Sequence, residues 1–94
     1  MKGAAPTLLL RLYIIEGAAN SVKAIANVSE ICQKHFAGKH RLEVVDLLLH
    51  PARALADGII VTPTLLKVAP LPVRRIIGNL SETEQVLLAL GAEA

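Results

Sequence analysis

The chain has 94 residues, of which 53% are hydrophobic, and its 10 basic and 8 acidic side chains give a net charge of +2. This length and composition predict one small domain, residues 1–94, with a buried core of mainly aliphatic side chains. The near balance of charge does not indicate nucleic-acid binding, and Tyr13 and Phe36 are the only aromatic residues that could stack on bases.

Cysteine content and hydropathy indicate the compartment. Cys32 is the single cysteine, so no internal disulfide is expected and a reducing cytosol is indicated. No uninterrupted run of about 18 apolar residues is present, so neither a signal peptide nor a membrane span is predicted. We therefore expect a cytoplasmic protein that does not bind membranes.

The first half of the chain predicts a strand, a helix and a second strand. Residues 8–15 form a short, almost entirely apolar run, which is typical of a strand buried on both faces. Residues 20–36 carry apolar side chains at helical spacing, with Asn20 or Ser21 as the expected N-cap. Residues 42–49 form a second apolar run, and two strands joined by a helix are expected to form a right-handed parallel unit.

The second half predicts a short helix and two more strands. Pro51 suits the first position of a helix over residues 52–56. Residues 65–68 and 73–77 are the predicted third and fourth strands, and the prolines between them favour a stiff connection.

A last helix is predicted near the C-terminus. Ser81 and Glu84 have the spacing of a capping box, and Gly91 is expected to end the helix. Residues 86–90 could also form a strand, because periodicity does not distinguish the two structures in so short an apolar run.

The order of the predicted elements is β-α-β-α-β-β-α. Thr62-Pro63, directly before the third strand, resembles the Thr-Pro turn of thioredoxin-like folds, in which that peptide bond is typically cis. The predicted fold class is therefore α/β, a thioredoxin-like sandwich.

The most specific pattern of the chain lies in its second half. Residues 70–81 read PLPVRRIIGNLS, in register with IVTPTL at residues 60–65. Together with Leu12-Tyr13, Asn20-Ser21-Val22 and LEVVD at residues 42–46, this pattern resembles the KaiB family of circadian-clock proteins and their bacterial relatives. The resemblance covers about nine-tenths of the chain, from residue 10 to residue 90.

This resemblance implies a non-enzymatic protein that binds the ring-shaped ATPase KaiC, or a KaiC-like ATPase. It also implies two folds of one sequence: a thioredoxin-like monomer that binds the partner, and a resting tetramer with a rearranged C-terminal half. That KaiB ground-state fold is the alternative fold class for this chain. The resemblance further implies that Pro63, Pro70 and Pro72 determine the fold, with slow X-Pro isomerisation setting the rate of the switch.

The chain departs from the pattern of the clock proteins at two places. Ala18-Ala19 stands where the family usually carries Thr-Pro, and Asn79 stands where it usually carries Asp. The departures favour a simpler timing or stress-response system over a true circadian oscillator.

The resemblance also gives weight to basic side chains as contacts for an acidic partner surface. The candidates are Lys23 on the first helix, Lys67 on the third strand, and Arg74 and Arg75 on the fourth. Since successive residues of a strand face opposite sides, only one of the two arginines can point with Ile76 towards the core.

No catalytic, cofactor-binding or metal site is predicted. His35, His40 and His50 have spacings that match no zinc site. Glu43 and Asp46 are expected at an exposed polar strand edge, with an acid–base pair as the open alternative.

Two other kinds of protein are considered besides the regulatory one. A thioredoxin-fold redox or glutathione-linked enzyme has the scaffold as its only support, and a fold does not establish a function. Cys32 lies on the apolar stripe of the first helix and is expected to be a buried structural thiol, whereas Ser21 is expected to cap that helix. The third possibility is a homo-oligomer, dimer or tetramer, that buries apolar surface.

Overall fold

A computed structural model describes residues 7–91 of the chain. The elements occur in the predicted order, β-α-β-α-β-β-α: β1 (Leu8–Ile14), α1 (Ala19–His35), β2 (His40–Asp46), α2 (Pro51–Ala56), β3 (Thr64–Ala69), β4 (Arg74–Ile77) and α3 (Thr83–Leu90). The C-terminal segment is helical, so the thioredoxin-like arrangement is the one observed. No helix within residues 7–91 is long and apolar enough to cross a membrane.

The four strands form one mixed sheet in the order β2-β1-β3-β4. β1 lies parallel to β2, as expected for strands joined by a helix, and antiparallel to β3, which is antiparallel to β4. The two edge strands are therefore β2 and β4.

The two faces of the sheet are covered to different extents. α1 and α3 cover one face and enclose the larger core, in which Leu12, Val28 and Leu65 have no exposed surface. The short α2 covers part of the other face above a small cluster of Tyr13, Val45 and Ala54. Arg75 and Ile77 of β4 are exposed on this second face, which we call the open face.

The second strand is shorter than predicted, because it ends at Asp46 and not at residue 49. The Asp46 carboxylate accepts the N–H of Leu48 at 2.8 Å, and the Asp46 carbonyl accepts the N–H of His50 at 3.0 Å. Such a turn competes with strand extension. As a result, Leu48 and Leu49 lie exposed in a turn.

The predicted N-caps of α1 and α3 are wrong. α1 begins at Ala19 with no side-chain cap, and Ser21 is buried inside its first turn. α3 begins at Thr83 with Glu82 at the N-cap and no side-chain cap, so the capping box of Ser81 and Glu84 does not form. At its other end α3 follows the prediction, since Gly91 occupies the left-handed C-cap position.

The three prolines predicted to determine the fold all flank β3. The peptide bonds preceding Pro63, Pro70 and Pro72 are cis. Pro63 is buried at the start of β3, and Pro70 and Pro72 are exposed in the connection to β4.

Candidate partner-binding surface

The sheet register brings several loops to one end of the molecule. Ile14 pairs with Asp46, Tyr13 pairs with Thr64, and Thr64 pairs with Ile77. The ends of β1, β2 and β4 and the beginning of β3 therefore lie side by side. We call this region, with the loops at residues 15–18, 47–50 and 58–63 and the first turn of α1, the Pro63 end.

The Pro63 end exposes an unusual amount of apolar side chain. Six large apolar residues of this region are exposed, and Ile60 reaches 91% exposure and Ile77 69%: Val22, Leu48, Leu49, Ile60, Val61 and Ile77. Concentration of large apolar side chains in one exposed region is a feature of interaction surfaces.

A groove of about 280 Å³ lies within this end, between the loop at residues 58–61 and β4. Ile59, Ile60, Val61 and Ile77 supply its apolar walls, and Thr64 closes its floor. The Thr64 hydroxyl donates to the Val61 carbonyl at 2.6 Å and so ties the loop to the first residue of β3.

Among residues 7–91, Arg75 is the only charged residue that lines the groove. Its Nη1 donates to the carbonyl of Gly58 at 3.2 Å. Gly58 has a φ of +69°, and a Cβ at this position would lie 3.3 Å from the guanidinium of Arg75. Glycine therefore allows both the backbone turn and the close approach of the arginine.

The four predicted basic residues do not form one cluster. Lys23 is exposed on the first turns of α1, and Arg75 lies at the groove. Lys67 and Arg74 are paired across β3 and β4 on the sheet face that carries Leu65 and the larger core. Arg74 is exposed there, whereas Lys67 is only 4% exposed. The prediction that the two arginines occupy opposite faces is confirmed by this register.

Sequence reasoning missed a network of five polar side chains beneath α2. The Tyr13 hydroxyl donates to Asp57 Oδ2 at 2.6 Å, and Arg11 Nη1 donates to the same oxygen at 2.8 Å. Arg11 Nε also donates to Glu43 at 3.2 Å, and Arg53 donates to both Glu43 oxygens at 2.7 Å. We call these side chains the α2 network, because they attach α2 to β1 and β2.

The network changes the pKa values of its members. The hydrogen bonds from Arg53 lower the pKa of Glu43 from 4.5 to about 2. Partial burial opposes this shift, and the hydrogen bond from Arg11 adds to it. Burial acts to raise the pKa of Asp57, but the bonds from Tyr13 and Arg11 outweigh it and lower this pKa. Burial, followed by the Asp57 contact, raises the pKa of Tyr13. The carboxylates are therefore held in their charged form as structural acceptors.

Glu43 and Asp46 lie on an edge strand, as expected, and the acid–base pair left open as the alternative does not form. Glu43 is occupied by the two arginines, while Asp46 accepts the backbone N–H groups of Leu48 at 2.8 Å and Glu16 at 3.3 Å. One sequence signal pointed to the α2 network: Arg11 interrupts an apolar strand two residues before Tyr13, on the same side of β1.

Cys32 and the three histidines neither line the groove nor belong to the α2 network. Cys32 is fully buried in the larger core, and burial raises the pKa of its thiol. His35 ends α1, His40 begins β2 and His50 precedes α2. Within residues 7–91 no group of three or more His, Cys, Asp or Glu residues is arranged to hold a metal ion.

The chain matches known proteins over nearly its whole length. The family model of the KaiB domain matches residues 11–92. This chain belongs to the KaiB family. The KaiB-family relatives include the circadian clock protein KaiB3 of Synechocystis, 47% identical over 83 residues, covering 88% of this chain and 81% of that protein. The circadian clock oscillator protein KaiB of Synechococcus elongatus is 48% identical over 84 residues, covering 89% of this chain and 82% of the relative.

Solved structures show the same fold at lower sequence identity. The N-terminal domain of Synechococcus elongatus SasA superposes with a TM-score of 0.75 at 21% identity, covering 96% of this chain and 89% of that domain. Fasciola hepatica thioredoxin superposes with a TM-score of 0.71 at 11% identity, covering 87% and 79% of the two chains. This KaiB-family chain therefore has the thioredoxin-like fold that its sequence predicted.

Proposed function

We propose that this protein is a non-enzymatic regulatory protein that binds a KaiC-type ATPase ring in a circadian, timing or stress-response system of the cytoplasm. The observation that carries this proposal is the 47–48% identity to circadian clock KaiB proteins over most of the chain. The exposed apolar Pro63 end supports it, because a binding protein needs a surface of this kind.

Basic side chains contribute to the proposed contact. Lys23, Arg74 and Arg75 are exposed, so their charges are available to an acidic partner surface and speed association with it. Lys67, at 4% exposure, has far less surface available for such a contact.

The binding experiment uses the KaiC-type ATPase of the same organism. We expect the protein to co-elute with the ring-shaped ATPase in size-exclusion chromatography at micromolar concentrations, with ATP or ADP present. The triple variant Lys23→Glu, Arg74→Glu, Arg75→Glu is expected to lose most of this association. Absence of a complex for the wild-type protein at all nucleotide states would contradict the proposal.

We include in the proposal a second arrangement of the C-terminal half, as a switch between binding and resting states. The weak local stabilisation of α3 supports this second arrangement, because the helix has only eight residues, lacks a side-chain N-cap and exposes Leu88. Such a switch requires that the free energies of the two packings differ by only a few kcal/mol. Backbone NMR with light scattering tests it: helical shifts over residues 83–90 identify the thioredoxin-like monomer, and strand shifts in a tetramer identify the second arrangement.

We also propose that the protein does not catalyse thiol chemistry. A thiolate is the reactive form of cysteine, and Cys32 is a fully buried thiol whose pKa is raised by burial. Insulin reduction and glutathione-transferase assays, with Cys32→Ser as the control, test this. Activity of the wild-type protein above that of the Cys32→Ser variant would support the alternative that the protein is a redox or glutathione-linked enzyme.

A further inference from the structure

Four arginines lie on or above the open face of the sheet, and they differ in their partners: Arg11, Arg41, Arg53 and Arg75. Arg11 and Arg53 are ion-paired with Asp57 and Glu43. Arg75 lies on the same face, since it is aligned across the sheet with Leu66 and Arg11. Among residues 7–91 no carboxylate lies within ion-pairing distance of Arg75, which donates a hydrogen bond to the Gly58 carbonyl.

We infer that the groove between the loop at residues 58–61 and β4 binds an extended segment of a partner protein, in which a carboxylate side chain lies next to an aliphatic one. The inference rests on the proposed function, because it assigns this segment to the KaiC-type ATPase. To the proposed function it adds the place of the contact, which is the groove, and the chemistry of the bound segment, which is a carboxylate next to an aliphatic side chain.

Charge complementarity defines the polar half of the contact. A guanidinium presents several N–H donors in a planar fork, and a carboxylate matches that fork with two hydrogen bonds. The bond to Gly58 uses one of the Arg75 donors and fixes the guanidinium at the rim of the groove. In the part of the chain that the structure describes, no acidic residue lines the groove and competes for the remaining donors.

Apolar burial defines the other half. Ile60 and Ile77, at 91% and 69% exposure, stand on the two sides of the groove, and covering both removes much apolar surface from water. β4 is an edge strand, so its outer backbone groups are accessible to an extended segment lying alongside.

A second copy of this chain fits the groove less well. A symmetric dimer contact brings the same patch of both subunits together. In a dimer contact centred on the groove, two Arg75 guanidinium groups would approach each other, and no carboxylate from the groove lining would lie between them.

The test compares matched variants in binding to the KaiC-type ATPase, measured by calorimetry. Arg75→Glu is paired with Arg41→Glu, which makes the same charge change at an exposed position of the opposite edge strand. Ile60→Ser is paired with Leu55→Ser, which removes a side chain of similar exposure, 82% against 91%, from α2. Ile60 lies in an exposed loop, so its replacement leaves the core intact, and circular dichroism checks the fold of all four variants.

We expect Arg75→Glu and Ile60→Ser each to weaken binding at least tenfold, and the two control variants to stay within threefold of the wild-type affinity. Wild-type binding with no difference between the variants of each pair would overturn the groove inference and leave the proposed function standing. Failure of the wild-type protein to bind would overturn both. If the two groove variants change only self-association, seen by light scattering, the groove is a contact between copies and the inference is wrong.

Discussion

Ser21 binds the turn that precedes its own helix. Its side chain is buried, and its Oγ accepts the backbone N–H of Ile15 at 3.1 Å. The serine therefore satisfies a donor that β1 leaves unpaired where the chain turns away from the sheet. This bond fixes the loop between β1 and α1, which is part of the Pro63 end.

Replacement of Ser21 by alanine should destabilise the fold by about 1–2 kcal/mol, because the partly buried N–H of Ile15 would lose its acceptor. Urea unfolding measures this change. Ser29→Ala is the matched control, since Ser29 is an exposed serine of the same helix and its replacement should change the free energy of unfolding by less than about 0.5 kcal/mol. Equal effects of the two replacements would contradict this role of Ser21.

Tyr13 and Asp57 form the most buried contact of the α2 network. The tyrosine has no exposed surface, and its hydroxyl lies 2.6 Å from Asp57 Oδ2. A hydrogen bond to a charged acceptor is stronger than one between neutral groups. We expect a double-mutant cycle of Tyr13→Phe and Asp57→Ala to give a coupling energy of about 1–2 kcal/mol in urea unfolding.

A second cycle provides the comparison for this coupling. Glu30 is ion-paired with Lys34 on the surface of α1, away from the α2 network. Tyr13→Phe and Glu30→Ala should therefore be additive within about 0.5 kcal/mol. A coupling energy of the same size in both cycles would show that the Tyr13–Asp57 bond contributes nothing specific.

At the scale of the element, the two ends of α3 are stabilised differently. Its N-terminus has no side-chain cap, whereas Gly91 closes the C-terminus with a φ of +91°. Only glycine adopts this left-handed conformation at little cost. Gly91→Ala should cost about 1 kcal/mol of stability, and Gly91→Asn less, because asparagine tolerates the left-handed region better. Thermal unfolding of the two variants gives the order of their stabilities. Equal stability of Gly91→Ala and Gly91→Asn would argue against a C-cap role of Gly91.

The elements were predictable wherever an apolar run met a residue with a fixed backbone preference. Pro51 marked the beginning of α2 and Gly91 the end of α3, because both residues act through their own backbone conformation. Ser21 and Ser81 were misassigned, because a serine can bond to several nearby backbone groups and the sequence does not say which is available. The same competition at Asp46 shortened β2.

At the scale of the molecule, the register between strands determines which side chains come together in the α2 network and at the groove. Arg11 and Asp57 are separated by 46 residues, and only the pairing of β1 with its neighbours brings them together. Arg75 was recognised as a candidate contact, but its groove was not, because the walls come from a loop and a strand that meet across the sheet. Local sequence patterns predict faces and ends of elements, while the partners of a side chain follow from the assembled sheet.

The α2 network also links the stability of the whole molecule to pH. Glu43 has a folded-state pKa of about 2, below its ordinary 4.5, and the pKa of Asp57 is lowered as well. A carboxyl whose pKa is depressed by folding binds protons more tightly in the unfolded chain. Its contribution to stability is therefore complete above the unfolded pKa and is lost as the pH falls towards the folded one.

We accordingly expect the free energy of unfolding to decrease between about pH 5 and pH 2, and Glu43→Gln to flatten this decrease because it removes the most strongly shifted carboxyl. Urea unfolding at a series of pH values measures both slopes. Glu30→Gln, which breaks a single exposed contact to Lys34, should keep the wild-type slope. Since Glu43 is about half exposed, screening by 1 M salt should weaken the pH dependence of the wild-type protein. Identical slopes for Glu43→Gln and the wild-type protein would mean that the arginine contacts of Glu43 do not contribute to the stability of the fold.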